Sequence, residues 1–228
     1  MLKYFLYIII ILIQIPLLFS QINNGIEYKA LPESELWIEG TSTIIDFTCI
    51  TNSIDGYAFI KNDSLTREGN GNQKIESKVV VSIVVKSLDC GNEMMNEDMY
   101  DAMKDKKNPF ILYELLNSKI VSEEKISGWT EIQTTGYLTI AGYKRTINIP
   151  IKLRKLPDGK YNLVGIKELS MHDFNIEPPS AFFGLIKADD KLVIKFNLIA
   201  GISQSINAAD INIKLGEDYF FKFLLIFL

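Results

Sequence analysis

The sequence predicts an all-β fold, either a sandwich or an antiparallel β-barrel of about eight strands, with one short helix at about residues 93–104. Apolar and polar residues alternate over residues 78–86, 146–154 and 191–199. A period of two is typical of strands that bury one face only, and such strands suit antiparallel sheets. Turn residues separate these segments, which favours a sandwich or a barrel.

Each alternating segment places its aliphatic side chains on one face, and we expect these faces to share an interior. The predicted inward residues are Val79, Val81, Ile83, Val85, Ile147, Ile149, Ile151, Leu153, Leu192, Ile194, Phe196 and Leu198. The interior of a small barrel is filled by side chains or holds one small ligand. Periodicity alone leaves both alternatives open.

Three short segments are predicted to be turns. Asp55-Gly56 and Pro157-Asp158-Gly159 suit tight hairpins, because glycine adopts the positive φ that such turns need. We interpret Asp189-Asp190 as a turn between strands rather than as a catalytic carboxylate pair.

The segment at 93–104 has a helical period. Met95, Met99 and Met103 recur at helical spacing, and Asn92 is a candidate N-cap before an acidic first turn. Methionine suits adaptable binding surfaces. Two compatible interpretations therefore stay open, a helix packed over a barrel mouth and a helix that contributes to a hydrophobic ligand site.

Residues 1–20 predict a cleaved secretory signal peptide. Lys3 is the only charge there, residues 5–13 are continuously apolar, and Ser20 precedes the expected cut before Gln21. The apolar run is too short to span a bilayer, which disfavours the alternative of a membrane anchor. We therefore expect a periplasmic or secreted protein.

Cys49 and Cys90 are the two cysteines of the chain. In an oxidising compartment such a pair is most simply one disulfide. Two free buried thiols or a reactive pair are the alternatives, although no CxxC spacing indicates redox chemistry.

Composition and motifs argue against several classes of function. A hydrophobic fraction of 47% excludes a disordered chain, and a net charge of −4 provides no basic surface for nucleic acid. One histidine and two cysteines leave little material for a metal site. The chain has no GxSxG, HExxH, P-loop or GxGxxG motif. His172 beside Asp173 is the one conceivable acid–base pair, and a strand-end or loop position is the favoured interpretation.

Five segments in order along the chain resemble motifs of the YceI-like family. They are Gly40-Thr41-Ser42-Thr43 with Asp46-Phe47, Ser87-Leu88-Asp89-Cys90-Gly91-Asn92, Asn108-Pro109-Phe110-Ile111, the stretch 136–147, and Asp173-Phe174-Asn175-Ile176. The chain departs from the family where Arg-Asp and several histidines are common; Met95-Asn96, Asp98, Ala141 and Ile45 occupy those positions.

The resemblance implies a lipocalin-like antiparallel β-barrel that is periplasmic or secreted and not an enzyme. Some members hold a polyisoprenoid, such as an isoprenoid quinone or its precursor, inside the barrel. On this basis we predict a lead-in over residues 21–35, a barrel domain over 36–200 and a C-terminal extension over 201–228. The extension ends in an apolar tail at 219–228, which is a late strand, a packed tail or an interfacial anchor for transient membrane contact.

The predicted ligand-binding residues combine inward strand positions with aromatic residues near the motifs. They are Phe47, Val81, Ile83, Phe110, Ile147, Ile149, Phe174, Phe182, Phe183, Ile194 and Phe196. An apolar lipid is the expected partner, and we expect no cofactor other than a bound isoprenoid lipid, no metal and no catalytic residue. The alternative is a ligand-free structural or interaction module with a packed core, in which the loop 177–184 contacts a protein partner.

Overall fold

The computed structural model describes residues 25–61, 66–67, 73–74, 77–124, 126–181 and 186–206. Within this part, residues Ile26–Ser205 belong to one compact unit. The predicted signal peptide at 1–20, the apolar tail at 219–228, and Phe182 and Phe183 lie outside the described residues. Of the helices described, none is long and apolar enough to cross a membrane.

The fold is a closed antiparallel β-barrel of eight strand positions, with one α-helix in the described part of the chain, as predicted. The strands are β1 (Gly25–Ala30), β2 (Glu35–Ser42), β3 (Phe47–Thr51), β4 (Ile54–Lys61), β5 (Thr66–Arg67), β6 (Gln73–Lys74), β7 (Ser77–Val84), β8 (Phe110–Glu123), β9 (Thr130–Ile140), β10 (Tyr143–Lys155), β11 (Tyr161–Ser170), β12 (Ser180–Ala181) and β13 (Ile186–Ile206). The helix α1 comprises Glu93–Ala102.

The long strand β13 closes the barrel. Neighbouring strands follow the order β1-β4-β7-β8-β9-β10-β11-β13, and β1 also pairs with β13. The strands β2 and β3 pair with each other, and β2 lies along β13 from Ser42 opposite Ala188 to Glu35 opposite Asn197. Strand β1 falls in the predicted lead-in and nevertheless forms part of the barrel wall. The short strands β5 and β6 form a separate pair, and β12 pairs with β13.

One end of the barrel, which we call the covered end, holds the packed core. It is covered by α1 and by two short 3₁₀ segments, Val85–Ser87 and His172–Phe174. The buried residues of this end are Ile83, Val85, Leu88, Met103, Ile111, Leu138, Ile140, Leu169, Met171, Phe174 and Ile176. The predicted N-cap is confirmed, since the Asn92 side chain accepts a hydrogen bond from the Met95 N–H at 3.1 Å.

Of the three predicted turns, one is confirmed and two are wrong. Gly159 has a φ of +85° and ends the tight turn between β10 and β11. Asp55-Gly56 lies inside β4, because pairing with β7 from Ile54 onward outweighs local turn propensity. Asp189-Asp190 lies inside β13, where the register with β2 shifts between Ala188 and Leu192.

Strands β10 and β11 separate toward the covered end. They pair only from Ile151 opposite Gly165 to Lys155 opposite Tyr161, whereas β10 pairs with β9 from Tyr143 onward. Within these fully described strands, residues 143–150 therefore have no ladder partner in residues 166–170. We call this separation the lateral gap. Pro150, which has no N–H to donate, fits a strand segment with one free edge.

The predicted disulfide between Cys49 and Cys90 is confirmed, and it ties β3 to the segment that leads into α1. Beside it, the Ile50 N–H donates to the Asp89 carbonyl at 2.8 Å, and the Asp89 N–H donates back at 2.9 Å. The bonded cysteines are 41 positions apart. Closing a loop of that length stabilises a protein by about 4 kcal/mol in the chain-entropy model.

Replacing both cysteines, Cys49→Ser with Cys90→Ser, should lower the free energy of unfolding by about 2–4 kcal/mol, because the unfolded chain regains the entropy of the open loop. Urea denaturation followed by tryptophan fluorescence measures the change. The wild-type protein in excess reductant is the control and should match the double variant. Equal stability of the double variant and the oxidised wild type would contradict this account.

Candidate functional site

The barrel encloses an apolar cavity of about 240 Å³, which we call the inner cavity. Alternate residues of the long strands form its wall, as the period of two predicts. Of the predicted ligand-binding residues, this wall contains Val81, Ile83, Ile147, Ile149, Phe174, Ile194 and Phe196. The structure thus brings most of the predicted residues to one surface.

The inner cavity is hollow rather than filled by its own side chains. Away from the covered end, inward residues such as Ile149, Leu163 and Ile194 are only half-buried. At the covered end Phe174 is 2% exposed. Side chains in a close-packed interior lose nearly all contact with solvent. The half-buried wall therefore means that the aliphatic side chains do not meet across the barrel.

A second cavity of about 360 Å³, which we call the vestibule, lies against α1. Met94, Met95 and Met99 of α1 line it together with Phe47 and the Cys49–Cys90 disulfide. The residues that line both cavities are Ile38, Met103, Met171, Ile176 and Leu192. The vestibule and the inner cavity therefore adjoin, and the methionines of α1 contribute to a cavity wall as well as to packing.

Glycines let three aromatic rings lie flat against the strands. A Cβ atom at Gly40, Gly136 or Gly165 would overlap the ring of Phe47, Tyr113 or Phe196, respectively. Glycine inside a strand often marks such a close approach. Keeping the rings at the wall preserves the open space in the middle of the barrel.

Phe110 lies outside both cavities, contrary to its predicted role in binding. It is the first residue of β8, opposite Val84, and it is 37% exposed. Its neighbour Ile111 lines the inner cavity and is buried, so alternation turns Phe110 to the outside. Motif resemblance rather than strand parity suggested this residue.

The polar side chains on the inner wall are Tyr113, Thr134, Lys167 and Ser170. The Tyr113 hydroxyl donates to Thr134 Oγ1 at 3.1 Å, which donates in turn to the Ile149 carbonyl at 2.8 Å. Burial raises the pKa of the Tyr113 hydroxyl, and the hydrogen bond with Thr134 opposes that rise. Both hydroxyl groups therefore already donate a hydrogen bond within the protein.

Asp190 fixes the segment that covers the inner cavity. Its Oδ2 accepts a hydrogen bond from Ser170 Oγ at 2.6 Å, and its Oδ1 accepts one from the His172 N–H at 3.0 Å. Its carbonyl accepts one from the Met171 N–H at 2.9 Å. The cavity-lining residues of this segment are Met171, Phe174 and Ile176. Sequence reasoning missed Asp190, because a carboxylate in a strand bulge carries no periodic signal.

The single histidine takes no part in either cavity. His172 is 55% exposed; its Nδ1 lies 2.6 Å from Asp190 Oδ1 and its Nε2 lies 3.7 Å from Glu177 Oε2, so its carboxylate partners are Asp190 and Glu177 rather than the adjacent Asp173. It lines neither cavity. In the described ranges, no group of three or more His, Cys, Asp or Glu residues could hold a metal ion.

The fold and the two cavities define a small antiparallel barrel with a hollow, apolar interior. The model of the YceI-like domain matches residues 41–200, and the chain therefore belongs to the YceI-like family. No curated protein has a sequence that matches this chain.

Several solved structures have a similar fold, and two of them are described below. BcnA of Burkholderia cenocepacia is 18% identical, with a TM-score of 0.54 over 74% of this chain and 97% of that one. A polyisoprenoid binding domain from Saccharophagus degradans, implicated in plant cell wall breakdown, is 12% identical, with a TM-score of 0.58 over 78% and 99%. At these identities the likeness shows the shared barrel fold.

Replacing Asp190 by Asn should lower the free energy of unfolding at neutral pH. The difference from the wild type should shrink as the pH falls below about 4. The hydrogen bond from Ser170, followed by that from the His172 N–H, holds the pKa of Asp190 below its usual range. The ionised carboxylate thus stabilises the fold above the pKa of the unfolded state, and this stabilisation is lost as the pH falls through the lower folded pKa.

Urea denaturation of wild type and Asp190→Asn between pH 7 and pH 3 measures this dependence. Asp173→Asn, at an exposed position of the same segment, is the control and should match the wild type throughout. A difference between Asp190→Asn and wild type that stays constant over the whole pH range would disprove the role given to this carboxylate.

Proposed function

We propose that this protein is an exported, non-catalytic carrier that binds an apolar or amphiphilic lipid inside its barrel, with a polyisoprenoid, such as an isoprenoid quinone or its precursor, as the favoured ligand. The observation that carries the proposal is the hollow apolar wall of the inner cavity, whose inward residues stay half-buried. A ligand-free module with a packed core would bury these same residues.

An isoprenoid chain matches this interior in its chemistry. Each buried CH₂ group contributes about 0.8 kcal/mol, and a long chain has almost no polar atoms that need partners. Cavities for small ligands are mostly apolar and measure about 300–1,000 Å³. The vestibule lies in that range and the inner cavity slightly below it. Two residues between the cavities, Met103 and Met171, have flexible side chains that can move aside for a chain that occupies both.

Family membership supports the choice of a polyisoprenoid over other lipids. The Saccharophagus degradans structure is a polyisoprenoid binding domain with the same fold. Branched isoprene units also fill a wide barrel better than a straight chain of equal length, because the methyl groups add contacts with the aliphatic wall.

Export to the periplasm or the exterior is part of the proposal. The single positive charge and short apolar run of residues 1–20 support it. The Cys49–Cys90 disulfide also supports it, since disulfides persist in oxidising compartments. A lipid carrier in such a compartment collects and delivers its ligand by transient contact with a membrane.

Filling the inner cavity should weaken lipid binding. Ile149→Trp places a large ring on the inner wall, and we expect it to weaken binding of geranylgeraniol and of a quinone with a geranylgeranyl chain by about tenfold or more. Native mass spectrometry of the delipidated full-length protein measures the bound fraction. Thermal melting confirms that the variant is folded, since overpacking costs about 1–3 kcal/mol.

Ile166→Trp is the matched control, because Ile166 is 59% exposed on the neighbouring strand and lines neither cavity. This variant should bind both probes like the wild type. Failure of the wild-type protein to take up either probe would refute the proposed function.

A further inference from the structure

Lys167 is a charged side chain on the wall of an otherwise apolar cavity. It lies on β11 with the same parity as Leu163 and Leu169, and all three line the inner cavity. Lysine seldom enters an apolar interior without a partner, because removing its charge from water is costly. Its presence on this wall therefore requires an explanation.

The protein supplies partners for the other polar groups of the wall but not for Lys167. Tyr113 and Thr134 are hydrogen-bonded to each other, and Ser170 is hydrogen-bonded to Asp190. Within the described residues, Lys167 makes no ion pair or side-chain hydrogen bond and contacts no aromatic ring.

Four of the six lysines on the two strands that flank β11 differ from Lys167 in this respect. They form ion pairs with glutamates, namely Lys144 with Glu114, Lys152 with Glu131, Lys191 with Glu168 and Lys195 with Glu39. None of these four paired lysines lines either cavity. The other two, Lys155 and Lys187, are exposed and line neither cavity, so Lys167 is the lysine of these three strands that faces the ligand space.

The strand register places Lys167 level with the junction of the two cavities. Lys167 is opposite Ile194 of β13, Ile194 is opposite Ile38 of β2, and Ile38 is opposite Cys49 of β3. Ile38 lines both cavities, and Cys49 lines the vestibule. A lipid whose head group lies at Lys167 can therefore extend its chain along a continuous apolar wall from the inner cavity to the vestibule.

The lateral gap borders Lys167 on its other side. Residues 143–150 of β10 have no ladder partner in the part of β11 that contains Lys167. Lys167 is half-buried rather than fully buried, so an anion beside it keeps part of its hydration. This lowers the desolvation cost that a fully buried ion pair would carry.

We infer that Lys167 binds the anionic head group of the lipid, and that the barrel selects chain lipids that end in a carboxylate or a phosphate over neutral ones. Both head groups present charged oxygen acceptors to the three N–H donors of the ammonium group. This inference rests on the proposed function, since it requires the chain to occupy the barrel.

The test compares two pairs of probes that differ in head-group charge. The pairs are hexadecanoate with hexadecanamide, and geranylgeranyl monophosphate with geranylgeraniol. Binding to the delipidated full-length protein is measured by native mass spectrometry titration. Wild type should bind at least one of the anions about tenfold or more tightly than its neutral counterpart, as expected for a charge-assisted hydrogen bond. The two arms distinguish a carboxylate ligand from a phosphate ligand.

Lys167→Met keeps the length of the side chain and removes its charge. It should abolish the preference for the anion over its neutral counterpart, whereas Lys167→Arg should retain this preference. Lys119→Met, at an exposed position on β8, removes the same charge from the outer surface and should behave like the wild type. Circular dichroism confirms that each variant is folded.

Equal binding of both anions and their neutral counterparts by the wild type would overturn the inference and leave the proposed function intact. So would a preference that survives in Lys167→Met. Failure of all four probes to bind the wild type would instead overturn the proposed function, and the inference with it.

Discussion

Hydrogen bonding of β13 along both of its edges turns the sheet into a barrel, and the rest of the structure depends on this closure. Strand β11 lies along one edge, and β2 and β1 lie along the other. An open sheet would present two rows of unpaired N–H and C=O groups. The same strand carries Asp190 to the covered end and Ile194 and Phe196 to the inner wall. Closure therefore determines both the width of the interior and the position of its cover.

Because closure sets the width of the barrel, one end of the interior is packed and stabilises the fold, while the rest is open to a ligand. Val85, Leu88 and Phe174 are almost fully buried at the covered end, where the core is densely packed. Farther along the barrel, the aliphatic side chains leave a cavity open between them. An eight-stranded barrel is just wide enough for side chains to fill or for one small ligand to occupy. The covered end and the Cys49–Cys90 disulfide hold the fold, so the remaining wall is available to a ligand.

Local patterns predicted the wall well and the long-range contacts poorly. Ile149 and Ile194 could be assigned to the interior because alternation in a strand is a property of the backbone. The prediction of a turn at Asp55-Gly56 was wrong, because the pairing of β4 with β7 outweighs the turn preference of these two residues. The lateral gap and the role of Asp190 depend on strands distant in sequence. Lys167 was missed because inward positions were predicted from apolar residues alone, and a lysine at an inward position of the same strand does not fit that criterion.

The central claim is that the barrel holds a lipid chain, and the electron density of its interior tests this most directly. The protein would be exported to an oxidising compartment, purified without removal of lipids and crystallised. The account predicts elongated density that runs from the inner cavity, past Met103 and Met171, into the vestibule. An interior filled by its own side chains, in which Ile149, Leu163 and Ile194 are buried and no space remains, would contradict it.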